Sequence, residues 1–201
     1  MPAKEQDYLR RAAVATARMQ SLIDDLLTYS KTSSDEVSLE AVDLNKVVDE
    51  VKILHQETIE ETGAVINKTV LPVIKAIPFQ MVQLFDNIIG NALKYRHPGR
   101  AVRIDIRTDT TNEVPGRENA AGGQTFHRIS VIDNGIGFEP AQGEKIFDVF
   151  QRLHNRSDYA GTGIGLAICK KIMQNHKAFI HASGIIGQGA VFTFYFPIGN
   201  D

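Results

Sequence analysis

This chain of 201 residues is poor in several features that would point to particular protein classes. It has one cysteine, Cys169, and no tryptophan, so an intramolecular disulfide is impossible and a thiolate metal cluster is disfavoured. No apolar run approaches the roughly 20 residues of a membrane helix, and the charged start lacks a secretory apolar core. The formal net charge of -2 gives no general positive field for nucleic acid. These absences predict a soluble, cytoplasmic protein.

The composition that is present is that of an ordinary globular protein, with 43% hydrophobic and 23% charged residues. Residues 6–31 contain neither proline nor glycine, and their apolar positions fall on one helical stripe, which predicts a long amphipathic helix. A polar break over residues 32–35 ends it. We therefore predict two parts, residues 1–34 with the helix and residues 35–201 as a separate domain.

The second part alternates between strand and helix patterns. The predicted fold class is α+β, with strands largely adjacent in sequence and helices against one face of the sheet. Polar, glycine-containing sequence over residues 109–124 predicts a loop. The predicted strands span residues 37–42, 65–70, 73–77, 101–108, 127–133, 179–183 and 190–197, and the predicted helices span residues 44–61, 78–97, 145–150 and 164–175.

The helix that Pro78 opens carries three polar side chains on one face. Asn87, Asn91 and Lys94 fall within roughly 60° of one another on a helical projection, away from its apolar face. Amide oxygens are suitable ligands for Mg²⁺, and an ammonium group is suited to phosphate. The same stripe, taken alone, is more typical of a solvated helix face, since such stripes are common.

Two glycine-rich segments follow. In Asp133-Asn134-Gly135-Ile136-Gly137, a carboxylate at a strand end can accept a hydrogen bond from a ligand amino group, although an ordinary turn has the same pattern. Gly161-Thr162-Gly163-Ile164-Gly165-Leu166 runs into a helix, and its successive N–H groups form an anion cradle. It is neither a Walker loop nor a dinucleotide-binding fingerprint.

In this order the motifs resemble the catalytic and ATP-binding domain of sensor histidine kinases. Residues 87–95 are similar to the N box of that family, residues 133–137 and 161–166 to its two glycine boxes, residues 146–152 to the F box of its ATP lid, and residues 187–192 to a further glycine turn. The resemblance covers residues 39–197. It implies a Bergerat ATP-binding fold, which is a two-layer α/β sandwich with a mixed sheet, preceded here by the long helix. Lys177-Ala178 stands where the family often has a glycine pair, so that turn is expected to differ.

The resemblance extends backward to residues 17–30, which look like the second helix of the dimerisation and phosphoacceptor hairpin. The first helix of that hairpin would carry a histidine followed by an acidic residue. None of the six histidines in this chain is followed by Asp or Glu. We therefore expect the six to be structural or surface residues, and the chain to be a piece of a longer protein.

The resemblance also implies a role for each matched residue. Asn91 would ligate Mg²⁺, and Asn87 would support the metal–phosphate end of the nucleotide. Lys94 would contact phosphate oxygens, Tyr95 would line the site, and Asp133 would accept from the adenine amino group.

The lid and the glycines have implied roles as well. Arg152 would reach the γ-phosphate, so Asn87, Lys94 and Arg152 are the expected catalytic residues. Phe147 and Phe150 would anchor the lid, although plain core packing explains them equally well. Gly135 and Gly137 would let the chain pass close to the base. The second glycine box would supply Gly161, Thr162, Gly163, Gly165 and Leu166, and its glycines would wrap the phosphates.

The implied activity is transfer of the ATP γ-phosphoryl group, with Mg²⁺, to a histidine on the hairpin and onward to a response-regulator receiver domain. The implied partners are a second copy of the kinase through the hairpin and that regulator, with neither nucleic acid nor direct membrane contact. The sequence leaves open whether the parent protein is membrane-anchored.

Two other functions stay open. ATP-hydrolysing relatives place a glutamate where Asn87 stands, and an amide cannot act as a base. Asp86 projects from a different helix face. The other alternative is a non-catalytic docking or dimerisation module, against which Asn91, Asp133 and both glycine boxes argue.

Overall fold

The computed structural model describes residues 38–116, 124–151, 153 and 162–199, together with eight positions near the N-terminus. Those eight positions are helical, in agreement with the amphipathic helix predicted there; they are Glu5, Gln6, Tyr8, Thr16, Met19, Gln20, Ile23 and Leu27. The rest of that predicted helix and the predicted boundary at residues 32–35 lie outside the described residues.

A small antiparallel sheet pairs β1 (Glu40–Asp43) with β3 (Val73–Ala76). The Asp43 side chain caps helix α1 (Leu44–Leu54) by accepting a 2.9 Å hydrogen bond from the Asn45 N–H. Helix α2 (Gln56–Thr62) follows and ends at Gly63, which has φ 61.

The single helix predicted over residues 44–61 is wrong, because the chain turns at His55 between α1 and α2. The His55 ring lies 2.8 Å from Asp86 Oδ1, on the helix that crosses α1. This contact is tertiary, and the break does not interrupt the hydrophobic periodicity of residues 44–61. The sequence pattern therefore does not reveal it.

The main sheet has five strands in the order β2-β4-β5-β7-β6. Only the β2–β4 pair is parallel, so the sheet is mixed as the resemblance implied. The strands are β2 (Val65–Lys68), β4 (Arg103–Thr111), β5 (Phe126–Asp133), β6 (Phe179–Ile185) and β7 (Gly189–Pro197).

The start of the predicted 109–124 loop is wrong, because β4 continues to Thr111 and pairs with the beginning of β5. Arg128 on β5 donates a 2.7 Å hydrogen bond from Nε to Asp109 Oδ1. The opposite sheet face carries the buried side chains Val102, Ile104 and Ile106. Polar residues on the exposed face of a sheet resemble loop composition, which explains the misplaced strand end.

Two helices cover one face of the main sheet, namely α3 (Pro78–Lys94) and α4 (Gly165–Asn175). Between β5 and α4 lie two short 3₁₀ turns, Pro140–Gln142 and Lys145–Phe147. The predicted α+β fold class with two layers is confirmed. Among the described residues, no helix has the length and apolar character needed to cross a membrane. The core between the layers includes Phe85, Ile88, Ile89, Leu93, Ile104, Ile106, Ile129, Ile168, Ile172 and Phe194.

Candidate functional site

Helix α3 presents one face to the core and another to a cleft. Its core face is fully buried at Met81, Phe85 and Ile89, whereas Asn87, Asn91 and Lys94 are half-buried and line the cleft, as predicted. Asn87 donates from Nδ2 to the Gln83 carbonyl at 2.9 Å, which fixes the amide so that Oδ1 faces away from that carbonyl. The Lys94 ammonium lies 2.9 Å from the Tyr95 hydroxyl.

Asp133 ends β5 at the other side of the cleft. Its Oδ1 accepts from the N–H of Gly135 at 2.8 Å and from the N–H of Ala190 at 3.2 Å, and neither bond uses Oδ2. Burial raises the pKa of the Asp133 carboxyl above its ordinary value, while the two backbone bonds partly oppose that rise. The carboxyl group is therefore fixed in orientation and has one oxygen available to a ligand.

The cleft has two adjoining compartments. The inner one has a volume of about 90 Å³. Among its described lining residues, Asp133 is the only ionisable group apart from the Tyr95 phenol, and the other walls are mostly apolar. A flat heteroaromatic ring with an exocyclic amino group fits such a surface, because the walls cover its faces and the carboxylate accepts from the amino group. The apolar lining comes from Ala92, Ile136, Phe138, Ile146, Leu153, Leu166, Ala190 and Phe192.

The outer compartment, of about 200 Å³, is polar. Asn87, Asn91 and Lys94 line it from α3, and the loop before α4 contributes Thr162, Gly163 and Gly165. The cleft thus brings an ammonium, amide oxygens and the N-terminus of α4 together, which is suited to phosphate with a bound cation. The two compartments share Asn91, Tyr95, Ile146, Gln151 and Leu166.

Packing also requires glycine at both glycine positions of the first box, in addition to the role that the resemblance implied. A Cβ on Gly135 would lie 2.4 Å from the Tyr95 carbonyl oxygen, and one on Gly137, with φ +63, would lie 2.0 Å from the Ile185 carbonyl oxygen. The intervening Ile136 exchanges backbone hydrogen bonds with Tyr95 and Gly187. The box therefore joins α3 to the β6–β7 turn, and of its two glycines Gly137 lines the inner compartment.

The two lid phenylalanines do not line the cleft. Phe147 is buried beside α4, on a separate groove. Phe150 is 61% exposed and has φ 66, and its N–H donates to the Gly163 carbonyl at 3.0 Å. The expectation that the Phe150 side chain anchors the lid is therefore wrong, because the connection to the glycine loop is made by its backbone. Arg152 and Gly161 lie outside the described residues.

Sequence reasoning missed several lining residues. Ile146 and Gln151 lie inside the segment similar to the F box and line both compartments, and Phe138 follows the first glycine box. The motif itself was the available signal. The prediction named the two phenylalanines of this motif, whereas Ile146 and Gln151 beside them face the cleft.

The described histidines have structural or surface positions, as expected. His55 pairs with Asp86, His97 accepts from the Gly99 N–H, His127 lies on β5, His176 is buried between α4 and α3, and His181 is exposed on β6. His154 lies outside the described residues. Cys169 is fully buried, and burial raises the pKa of its thiol.

Comparisons with known proteins agree with this geometry. Residues 76–200 match the family of histidine kinase-, DNA gyrase B- and HSP90-like ATPases, so the chain belongs to that family. It is 38% identical over 199 residues to cyanobacterial phytochrome A of Nostoc sp., covering 99% of this chain and 24% of that protein. It is 32% identical over 189 residues to sensor protein kinase WalK of Staphylococcus aureus, covering 90% and 42%.

The predicted kinship with the catalytic domains of sensor histidine kinases is thereby confirmed. The fold of full-length ShkA in complex with AMPPNP is similar, with a TM-score of 0.69 and 27% identity over 98% of this chain and 39% of that chain. ThkA in complex with the response regulator TrrA has the same TM-score at 21% identity, over 99% of this chain and 53% of that chain. At that identity the similarity shows a shared fold and no more. The chain spans about a quarter of the length of the phytochromes it matches.

Proposed function

We propose that residues 35–201 form the ATP-binding catalytic domain of a sensor histidine kinase. The domain binds Mg²⁺-ATP in the two-compartment cleft and transfers the γ-phosphoryl group to a histidine on a helical hairpin. The observation that carries this proposal is the placement of Asp133 at the apolar end of the cleft and of Asn87, Asn91 and Lys94 at the polar end.

The residues present suit each part of the nucleotide. Asp133 accepts from the adenine amino group, and the Asn91 oxygen ligates Mg²⁺, which prefers oxygen ligands. Lys94 and the backbone of Gly163 and Gly165 bind phosphate oxygens. Thr162 and Leu166 complete this loop, and Arg152 contacts the γ-phosphate.

Transfer is favoured over hydrolysis by the position of the carboxylates. Asn87 occupies the place from which a base would act on water, and its Nδ2 is already bonded to the Gln83 carbonyl. The neighbouring Asp86 pairs with His55 at 2.8 Å and is absent from the lining of either compartment. The described residues that line the outer compartment include no carboxylate, so none of them can activate water beside the phosphoryl groups.

The relatives support a wider setting for this domain, which belongs to the same proposal. Residues 1–34 form the second helix of the dimerisation and phosphoacceptor hairpin, through which two kinase copies associate. The phosphoryl group passes to a response-regulator receiver domain, and the domain functions in the cytoplasm. WalK is named a sensor protein kinase, and ThkA was solved with a response regulator, which supports this arrangement.

The test is calorimetric titration of ATP with and without Mg²⁺. Wild type is expected to bind with Mg²⁺ dependence, and Asn91→Ala is expected to lose the Mg²⁺-dependent part, because it removes the ligand oxygen. Gln174→Ala, on an exposed position of α4, is the matched surface control. Identical ATP affinity for wild type and Asn91→Ala in the presence of Mg²⁺ would overturn the metal assignment.

A further inference from the structure

Helices α3 and α4 pack antiparallel and touch at successive points along their length. Asn87 meets Gly165 at the cleft end, where a Cβ on the glycine would lie 2.4 Å from Asn87 Oδ1. Cys169 Sγ lies 4.0 Å from the Leu84 carbonyl oxygen in the middle. The contacts at the far end are polar and buried, and they involve residues outside the cleft.

The far end is a pair of side-chain hydrogen bonds between the end of α4 and the start of α3. The Ile77 N–H donates to His176 Nε2 at 2.9 Å, and Asn175 Nδ2 donates to Gln80 Oε1 at 3.3 Å. Gln80 is 1% exposed and His176 is 8% exposed. Loss of the bond to His176 would leave the buried Ile77 N–H without this acceptor, which is costly.

The His176 ring has a defined protonation state. Because the Ile77 N–H is a donor, Nε2 must be the unprotonated acceptor, and Nδ1 carries the proton that it donates to the Ile172 carbonyl at 2.7 Å. A second ring proton would have to sit on Nε2, where it would point at the Ile77 N–H, so that two donors would face each other. The cavity beside the ring is lined by Lys75 of β3, Lys177 and His127 of β5, with no acid among its described lining residues, so no neighbouring charge favours the imidazolium.

We propose that Asn175 and His176 are positioning residues that hold the start of α3 against the end of α4. They thereby fix the position of the two helices relative to each other where both line the nucleotide cleft. Both helices reach the cleft from this clamp. At 1.5 Å per residue, Asn91 lies about 21 Å along α3 from Ile77, and Gly165 lies about 16 Å along α4 from His176. A shift at the clamp therefore moves Asn87 and Asn91 relative to Gly163 and Gly165, which must approach the same phosphate groups.

This inference rests on the proposed nucleotide site, and two amide variants test it. In His176→Gln the longer side chain places an oxygen near Nε2 and keeps an acceptor for Ile77. In His176→Asn the shorter side chain keeps the Nδ1-like contact to Ile172 and loses the contact to Ile77. We expect the Mg²⁺-ATP dissociation constant of His176→Asn to rise about threefold to tenfold and that of His176→Gln to stay near the wild-type value.

Two measurements distinguish a positioning role from a purely structural one. The melting temperature of each variant is measured, and its ATP affinity is measured at a temperature where every variant is folded. A lower melting temperature for His176→Asn with unchanged affinity would overturn the inference. Failure of wild type itself to bind ATP would instead overturn the proposed function, so the two failures are distinguishable.

The dependence of ATP affinity on pH also distinguishes the proposal from a purely structural role. A role in packing alone would not change ATP affinity when His176 is protonated. Burial lowers the pKa of His176, so the ring takes up a second proton only at a lower pH than an ordinary imidazole does. We expect the ATP affinity of wild type to fall more steeply than that of His176→Gln as the pH is lowered from neutral toward the lowered pKa of His176, since the titration of ATP itself is common to both. Parallel profiles would contradict the proposal.

Discussion

Asn87 and Gly165 meet so closely that a single methyl group on the glycine would lie 2.4 Å from Asn87 Oδ1. Real Cβ atoms do not approach an oxygen that closely, and Asn87 is fixed by its hydrogen bond to Gln83. The absence of a side chain at Gly165 therefore allows α3 and the start of α4 to line one compartment.

The first prediction follows from this contact. Gly165→Ala should force Asn87 or α4 to shift, and the affinity for Mg²⁺-ATP should fall by about tenfold or more. Gly90→Ala is the matched control, because a Cβ on this other helical glycine would meet only the His55 ring, at 3.3 Å. Calorimetry that finds equal affinities for the two variants would contradict the prediction.

The second prediction concerns base selectivity. GTP has a carbonyl where ATP has its amino group, so the Asp133 carboxylate would face an acceptor. We expect wild type to prefer ATP over GTP by about tenfold or more and Asp133→Ala to lose the preference. Competition binding with both nucleotides measures the ratio, and equal wild-type affinities would exclude this role for Asp133.

The selectivity should also depend on pH in a direction that the pKa of Asp133 sets. Burial raises that pKa, and only the ionised carboxyl accepts with both oxygens. The preference for ATP is therefore present above the raised pKa and lost as the pH falls through it. Asp133→Asn, which does not titrate, should show no such loss.

The third prediction concerns Lys177, which has φ 50 at the end of α4. Its N–H donates to the Gln174 carbonyl and the Ala178 N–H donates to the Met173 carbonyl, which is the Schellman arrangement that favours glycine. Lys177→Gly should therefore raise the free energy of unfolding by about 1 kcal/mol, or the melting temperature by about 2–4 °C. Lys170→Gly, on an exposed position within α4, should lower it by a similar amount.

Much of the cleft could be predicted because its residues lie in local patterns. The polar face of α3 follows from helical periodicity, and Gly163 and Gly165 precede a helix whose own periodicity is clear. Each of these signals lies within a few neighbouring residues.

The parts that escaped prediction depend on contacts distant in sequence. The break at His55 is held by Asp86, 31 residues away, and the bond from Ile77 to His176 spans 99 residues. The resemblance implied that Phe150 anchors the lid, whereas its side chain is exposed and its positive φ turns the backbone toward Gly163. Composition and periodicity contain no information on such pairings.

The last prediction is that the chain alone does not phosphorylate its own histidines. A phosphoacceptor needs a nucleophilic imidazole presented to the γ-phosphate and a neighbouring acid to take its proton. Among the described histidines, His55 has an acid partner, Asp86, but neither residue lines the cleft. His176 is buried, and both of its nitrogens are hydrogen-bonded. Incubation with γ-labelled ATP should therefore leave no acid-labile label on the chain, whereas adding a hairpin with its histidine should restore transfer. Acid-labile label on the chain alone would show that the acceptor lies within it, and His55→Gln and His154→Gln would then identify which histidine carries it.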